Sequence, residues 1–259
     1  MDQPSDLPNA ATNPAGAPVL PDAAPEPQEP AIIRREDYTP FPWLVPEIRL
    51  DFDLGLETTR VEATLKVAPN PAADKAQDIR LDGDGLVLES VAVDGEARED
   101  WRREGEALLI PLSSGEHTLT IVTRIAPSAN TQLMGLYASN GMLCTQCEAE
   151  GFRRITFFPD RPDVLSVYTV RMVADRDAFP VLLSNGNPIE DGTLEDGRHF
   201  AEWHDPWPKP SYLFALVAGD LVARTDSFTT MSGREVKLGV WVRAEDLPRT
   251  SHAMESLKR

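Results

Sequence analysis

Apolar and polar residues alternate with a period of two through most of the chain. Over 47–56, Ile48, Leu50, Phe52, Leu54 and Leu56 are separated by Arg49, Asp51, Asp53 and Gly55, which marks a strand with one face in a core and one in water. The same pattern predicts short strands over 61–67, 78–81, 86–93, 107–111 and 117–125, parted by Pro69-Asn-Pro71, Asp82-Gly-Asp-Gly85 and Asp94-Gly95. These separators are turn chemistry, and Asp94-Gly95 predicts a tight hairpin because both residues tolerate positive φ. Further strands are expected over 166–174, 181–185, 189–194 and 198–203, with Asn185-Gly186-Asn187 and Glu195-Asp196-Gly197 as hairpin turns. The run YLFALVA over 212–218 reads as a fully buried strand or a short core segment, and 222–230 with 235–242 as a hairpin closed by Ser232-Gly233. Only 247–257 takes helical spacing, through Leu247, Ala253, Met254 and Leu257. Many strands with no helical pattern between them predict a mainly β fold, an antiparallel β-sandwich followed by a C-terminal helix.

Composition sharpens the boundaries. Residues 1–33 are rich in Pro and Ala and carry acidic but no basic side chains. Such a segment buries too little apolar surface to offset the entropy of ordering it, so a disordered tail is expected. Tyr38-Thr-Pro-Phe-Pro-Trp43 then reads as a Pro-stiffened lead-in tacked to the domain surface by its aromatics. Net charge is −17, with no run of Lys or Arg interleaved with aromatics, which argues against nucleic acid as a partner. No stretch approaches the roughly 20 apolar residues of a membrane helix, so no membrane partner is expected, and the tail lacks the apolar core of a signal peptide. Two cysteines are too few for a disulfide framework and fit a reducing compartment, so a cytoplasmic location is expected.

Candidate chemistry concentrates over 142–164, MLCTQCEAEGFRRITFFPDRPDV. If 145–150 is extended, Gln146, Glu148 and Glu150 leave the strand on one face. A row of acceptors suits an ammonium group; the competing reading is a solvated strand face. Cys144 and Cys147 form a C-x-x-C without the second pair of a zinc ribbon or the α/β context of a redox motif, leaving two half-buried thiols or a reversible disulfide. Of the four histidines, His199 and His204 are five residues apart in a strand-like segment and would point to opposite faces, a poor zinc pair. No serine nucleophile sits in a G-x-S-x-G context.

The run CTQCEAEGFRRITFFPDRPDVLSVYTV closely resembles the N-terminal domain of the bacterial aminopeptidase N family, the gluzincin zinc metallo-aminopeptidases. LLSNGNPIEDGTLEDGRHFAEWHDPWPKPSYLFALVAGDL and SFTTMSGREVKLGVWV look like that family too, so the resemblance covers 38–259. It implies a saddle-like β-sandwich over 34–220 that covers a thermolysin-like catalytic domain, with 221–259 as that domain's opening strands and first helix. It also implies that Gln146 and Glu148 grip the free α-ammonium of a peptide substrate. The family's catalytic motifs, G-x-M-E-N and H-E-x-x-H followed by a distant Glu, are not found in these 259 residues, and Ala253-Met-Glu-Ser256 is not the former. Zinc is therefore expected in the intact enzyme and not on this chain, no catalytic residue carries over, and the chain alone should be inactive. The implied partners are a peptide N-terminus and the missing catalytic domain. Two alternatives remain: a stand-alone β-sandwich binding module, and an interaction subunit that docks on a separately encoded catalytic half.

Overall fold

The computed structural model describes residues 34–73 and 78–259; the tail expected over 1–33 lies outside them. A 3-10 turn at Arg35–Asp37 belongs to one compact unit, and everything from Thr39 onward belongs to another.

The second unit is mainly β. Its largest sheet has eight strands in the order Asn187–Thr193, Arg198–Pro210, Leu165–Asp175, Trp43–Asp53, Thr59–Pro69, His117–Ile125, Val87–Val93 and Glu96–Ala97. The neighbours are antiparallel except at the centre, where Trp43–Asp53 runs parallel to Leu165–Asp175 with Leu50 opposite Val170. That pair departs from the expected all-antiparallel pattern. A parallel neighbour needs a long crossover, and here the crossover passes through two further sheets. One is four-stranded, in the order Val181–Ser184, Leu216–Gly219, Met142–Gln146 and Gly135–Ser139; the other comprises Asp78–Leu81, Ala107–Pro111 and Arg102–Glu104.

One hydrophobic cluster joins all three sheets. It holds Leu50, Phe52 and Tyr168 from the large sheet, Leu143 and Leu216 from the four-stranded sheet, and Ile79 and Ile110 from the three-stranded one. The burial of Trp43–Asp53 follows the period-two pattern, with Ile48, Leu50 and Phe52 inside. At Asp94 and Gly95, φ is +54° and +84°, and Val93 pairs with Glu96, so this dipeptide forms the expected tight hairpin.

Several local expectations change. Asn185-Gly186 is not a hairpin turn: Val181–Ser184 pairs with Leu216–Gly219, whereas Asn187–Thr193 pairs with Arg198–Pro210, so the dipeptide carries the chain between sheets. Turn residues report a reversal and not which strands it joins. Phe41 and Trp43 are core residues, not surface tacks, at 9% and 2% exposure. The front of the expected helix is the 3-10 segment Ala244–Thr250, which contains Pro248, and the α-helix proper is Ser251–Leu257. Proline has no N–H to donate to an α-helical ladder. Finally, among the described residues Val222–Thr229 and Glu235–Val242 pair only with each other, and none of their residues is buried. Arg224 ties this hairpin to the C-terminal segment, donating to Thr250 Oγ1 at 2.7 Å and to the Leu247 carbonyl at 3.2 Å.

Candidate functional site

The strand Met142–Gln146 lies inside the four-stranded sheet, with Gln146 opposite Gly135 and Leu143 opposite both Ala138 and Ala218. It is launched by a two-residue turn at Asn140 (φ +50°) and Gly141 (φ +80°). That Asn-Gly was a legible hairpin signal, and the strand before it, Gly135–Ser139, was not anticipated.

The strand stops at Gln146, which corrects the expected extension over 145–150. Gly151 donates its N–H to the Cys147 carbonyl at 2.8 Å, folding 147–151 into a turn that contains a cis peptide between Glu148 and Ala149. The cause is burial on both sides of the turn. Cys147 and Phe152 are driven inward, at 2% and 0% exposure, and because they are five residues apart an extended chain would send them to opposite faces and could not bury both in the same core while keeping Glu148 and Glu150 in water. A glycine is required at 151 because a Cβ there would meet the Gln146 carbonyl oxygen at 2.4 Å and the Gly135 nitrogen at 3.0 Å.

Gln146, Glu148 and Glu150 therefore do not share a strand face, yet the first two are still brought together. Gln146 Nε2 donates to the backbone carbonyl of Glu148 at 3.1 Å. Glu150 turns away to pair with Arg153 at 3.3 Å. The Glu148 side chain is exposed, and among the described residues its carboxylate has no hydrogen-bond or ion-pair partner.

Beneath the turn lies a buried carboxylate that sequence reasoning missed. Asp160, with its side chain 1% exposed, accepts from the Arg153 backbone N–H and from Arg153 Nε, each at 3.1 Å. Its other oxygen accepts from Ser211 Oγ at 2.5 Å. Ser211 lies shortly before Leu216–Gly219, the partner strand of Met142–Gln146, so this one carboxylate ties the segment after the turn to the element that flanks it. Arg154 forms an ion pair with Asp84. Phe152 packs edge-on against Phe158, Phe214 and Tyr168, at centroid distances of 5.2, 5.3 and 6.1 Å. The signal for Asp160 was its place just after the apolar run Phe157-Phe158, but an acid there reads equally well as exposed.

Burial controls the titration of the groups around it. The Cys147 thiol is pushed far up by burial, with Asp160 adding to the effect, so the structure gives it the character of an inert packing group. Burial, followed by Asp160, also raises the Tyr168 hydroxyl, which has no hydrogen-bond partner among the described residues. Lys209 places its ammonium 3.6 Å from the centre of the Tyr168 ring, where the π face attracts it. Burial lowers its pKa, and Asp205, 3.1 Å away but not aligned as a hydrogen bond, opposes that shift.

Among the described residues, no group of three His, Cys, Asp or Glu side chains can hold a metal ion. His199 is bonded to the Phe179 carbonyl at 2.8 Å and His204 to Thr169 Oγ1 at 3.0 Å, so the two rings serve different neighbours. The residues described here therefore do not fit a zinc ligand set.

The family described as Peptidase M1 N-terminal domain matches residues 39–213, and the chain belongs to it. It is 52% identical to aminopeptidase N of Caulobacter vibrioides and 47% identical to that of Escherichia coli K12, in each case over 89% of this chain and 26% of the relative. The chain thus spans about a quarter of the length of these curated relatives. Among solved structures, Legionella pneumophila aminopeptidase A in complex with aspartic acid superposes with a TM-score of 0.82 at 34% identity, over 86% of this chain and 27% of that one. An M1 zinc metallopeptidase from Deinococcus radiodurans shares the fold, with a TM-score of 0.67 at 17% identity, over 80% of this chain and 49% of that one.

Proposed function

We propose that this chain supplies the amine-recognition side of a zinc aminopeptidase active site, and that Gln146 and Glu148 bind the free α-ammonium of a peptide substrate. The observation that carries this reading is the exposed Glu148 carboxylate, unpartnered among the described residues and mounted on a turn anchored from below by Cys147, Phe152 and the Arg153–Asp160 pair. Most acids near it are already engaged: Glu150 with Arg153, Asp160 with Arg153 and Ser211, and Asp84 with Arg154. Because the turn that carries it is already fixed, binding need order only the Glu148 side chain, and an ammonium offers that carboxylate charge-assisted hydrogen bonds. An acetylated or internal peptide nitrogen has no charge to offer, so such a site selects chain ends.

On the same reading, 34–220 is the recognition domain and 221–259 begins the catalytic domain that holds the zinc. The family match ending at 213 and the wholly unburied hairpin of Val222–Thr229 and Glu235–Val242 support that division. The two unpaired cysteines support a cytoplasmic setting. The experiment is an assay with an aminoacyl chromogenic amide and added zinc. The chain alone should give no turnover, and the chain joined to the catalytic portion of the Caulobacter relative should give turnover that N-acetylation of the substrate abolishes. Hydrolysis by the chain alone, or equal hydrolysis of the acetylated substrate, would overturn the reading.

A further inference from the structure

A second constellation lies in the large sheet, at the hairpin Asp94-Gly95 and the loop that leads into His117–Ile125. Asp94 Oδ1 accepts the Thr118 backbone N–H at 2.8 Å, and its Oδ2 lies 2.7 Å from His117 Nδ1. The other ring nitrogen, Nε2, lies 3.2 Å from Ser113 Oγ. Sequence patterns gave no hint of this, because the three residues belong to no motif and meet only when Val93–Glu96 folds beside His117. A cleft of about 980 Å³ opens beside them, with Trp43, Val93, Leu112 and Arg98 among its lining residues.

We propose that Ser113, His117 and Asp94 form an acyl-accepting site for small carboxylic esters. The order of contacts is the one nucleophilic catalysis requires. A carboxylate fixed by a backbone N–H holds Nδ1 protonated, which leaves the Nε2 lone pair facing a serine hydroxyl. The His117 side chain is 12% exposed, so its ring is held in place, whereas Ser113 is open to solvent and can be reached. Nε2 also lies 3.1 Å from the Ser113 carbonyl. In the Nδ1–H tautomer that oxygen receives no proton from Nε2, but it accepts a hydrogen bond once Nε2 has taken up a proton, so it steadies the imidazolium that the reaction creates.

The steps balance with water as the second reactant. Ser113 Oγ bonds to the ester carbonyl carbon while its proton passes to His117 Nε2. The carbonyl π pair moves onto oxygen and then returns, expelling the alkoxide, which takes the proton from Nε2 and leaves as an alcohol. Water then adds to the acyl-serine and gives a proton to Nε2. Collapse breaks the Oγ–acyl bond, returns the proton to Oγ and releases a carboxylic acid. The apolar wall of Trp43, Val93 and Leu112 suits a short acyl chain.

The test treats the full chain with a fluorophosphonate probe and, separately, with 4-nitrophenyl acetate. Expected are one adduct, mapped by mass spectrometry to Ser113, and a burst of nitrophenol that Ser113→Ala abolishes. His117→Gln should slow acylation by about a hundredfold. Asp94→Asn, which keeps the size of the side chain and suits the positive φ at that position, should slow it as well, and it decides the matter if His117→Gln does not fold. No adduct, an adduct elsewhere, or an acylation rate that Asp94→Asn leaves unchanged would overturn the proposal.

Discussion

The Cβ that Gly151 lacks would stand 2.4 Å from the carbonyl oxygen of Gln146. The residue that closes the turn and the residue that ends the strand are therefore in backbone contact, and the position of Glu148 between them follows from that contact. Gly151→Ala should force the turn open. A loss of about 1–3 kcal/mol in stability is expected, as for other overpacked sites. Urea unfolding measures it, and a variant as stable as the parent would contradict the close approach.

The buried carboxylate below the turn should matter more. Asp160→Asn leaves the Arg153 guanidinium with a neutral partner in place of a buried anion, and it turns an amide N–H₂ toward donors. The expected cost is about 3 kcal/mol, typical of breaking a buried pair from one side. A loss within the range of exposed ion pairs, under about 1 kcal/mol, would show that Asp160 does not anchor the segment.

Glu202 gives a pH signature. Arg49 donates to both of its oxygens, at 3.0 and 3.1 Å, and chiefly this bond holds the Glu202 carboxyl below its ordinary value of 4.5. A depressed acid stabilises the fold at pH values above its unfolded pKa, and that contribution is lost as the pH falls through the lower native value. Glu202→Gln should therefore be less stable than the parent near neutrality, by about 1 kcal/mol, and the gap should close as the pH drops below 4.5. Thermal melts of both proteins across that range provide the check; a gap independent of pH would contradict the pairing.

The two thiols should separate cleanly. Burial suppresses the Cys147 thiolate and shields it from reagents, whereas Cys144 is only partly buried. Iodoacetamide should label Cys144 in the native chain, and Cys147 only after denaturant is added. Native labelling of Cys147, read by mass spectrometry, would contradict its placement in the core.

Much of the fold was legible because strand periodicity is local. The alternation of Ile48, Leu50 and Phe52 and the Asp94-Gly95 turn each carried their own signal, and the structure uses them as expected. Pairing is not local, which is why the parallel neighbours Trp43–Asp53 and Leu165–Asp175 and the sheet change at Asn185-Gly186 were hidden. At the candidate site, motif resemblance singled out Gln146 and Glu148, but spacing gave the wrong geometry. Alternate positions share a face only while the strand continues, and the competing demand was to bury Cys147 and Phe152 on either side of a turn. Asp160 was illegible for a related reason: its partners Arg153 and Ser211 lie on segments that only the tertiary fold brings together.

The most direct test concerns Glu148 itself, in the chain joined to a catalytic portion that restores peptidase activity. Replacing Glu148 by Gln preserves the shape of the side chain and removes the charge that would face the substrate ammonium. The Michaelis constant for a free-amine aminoacyl amide should rise by about tenfold to a hundredfold, the worth of one charged hydrogen bond, with a much smaller change in kcat. A Michaelis constant unchanged by Glu148→Gln would contradict the assignment of this turn to amine recognition.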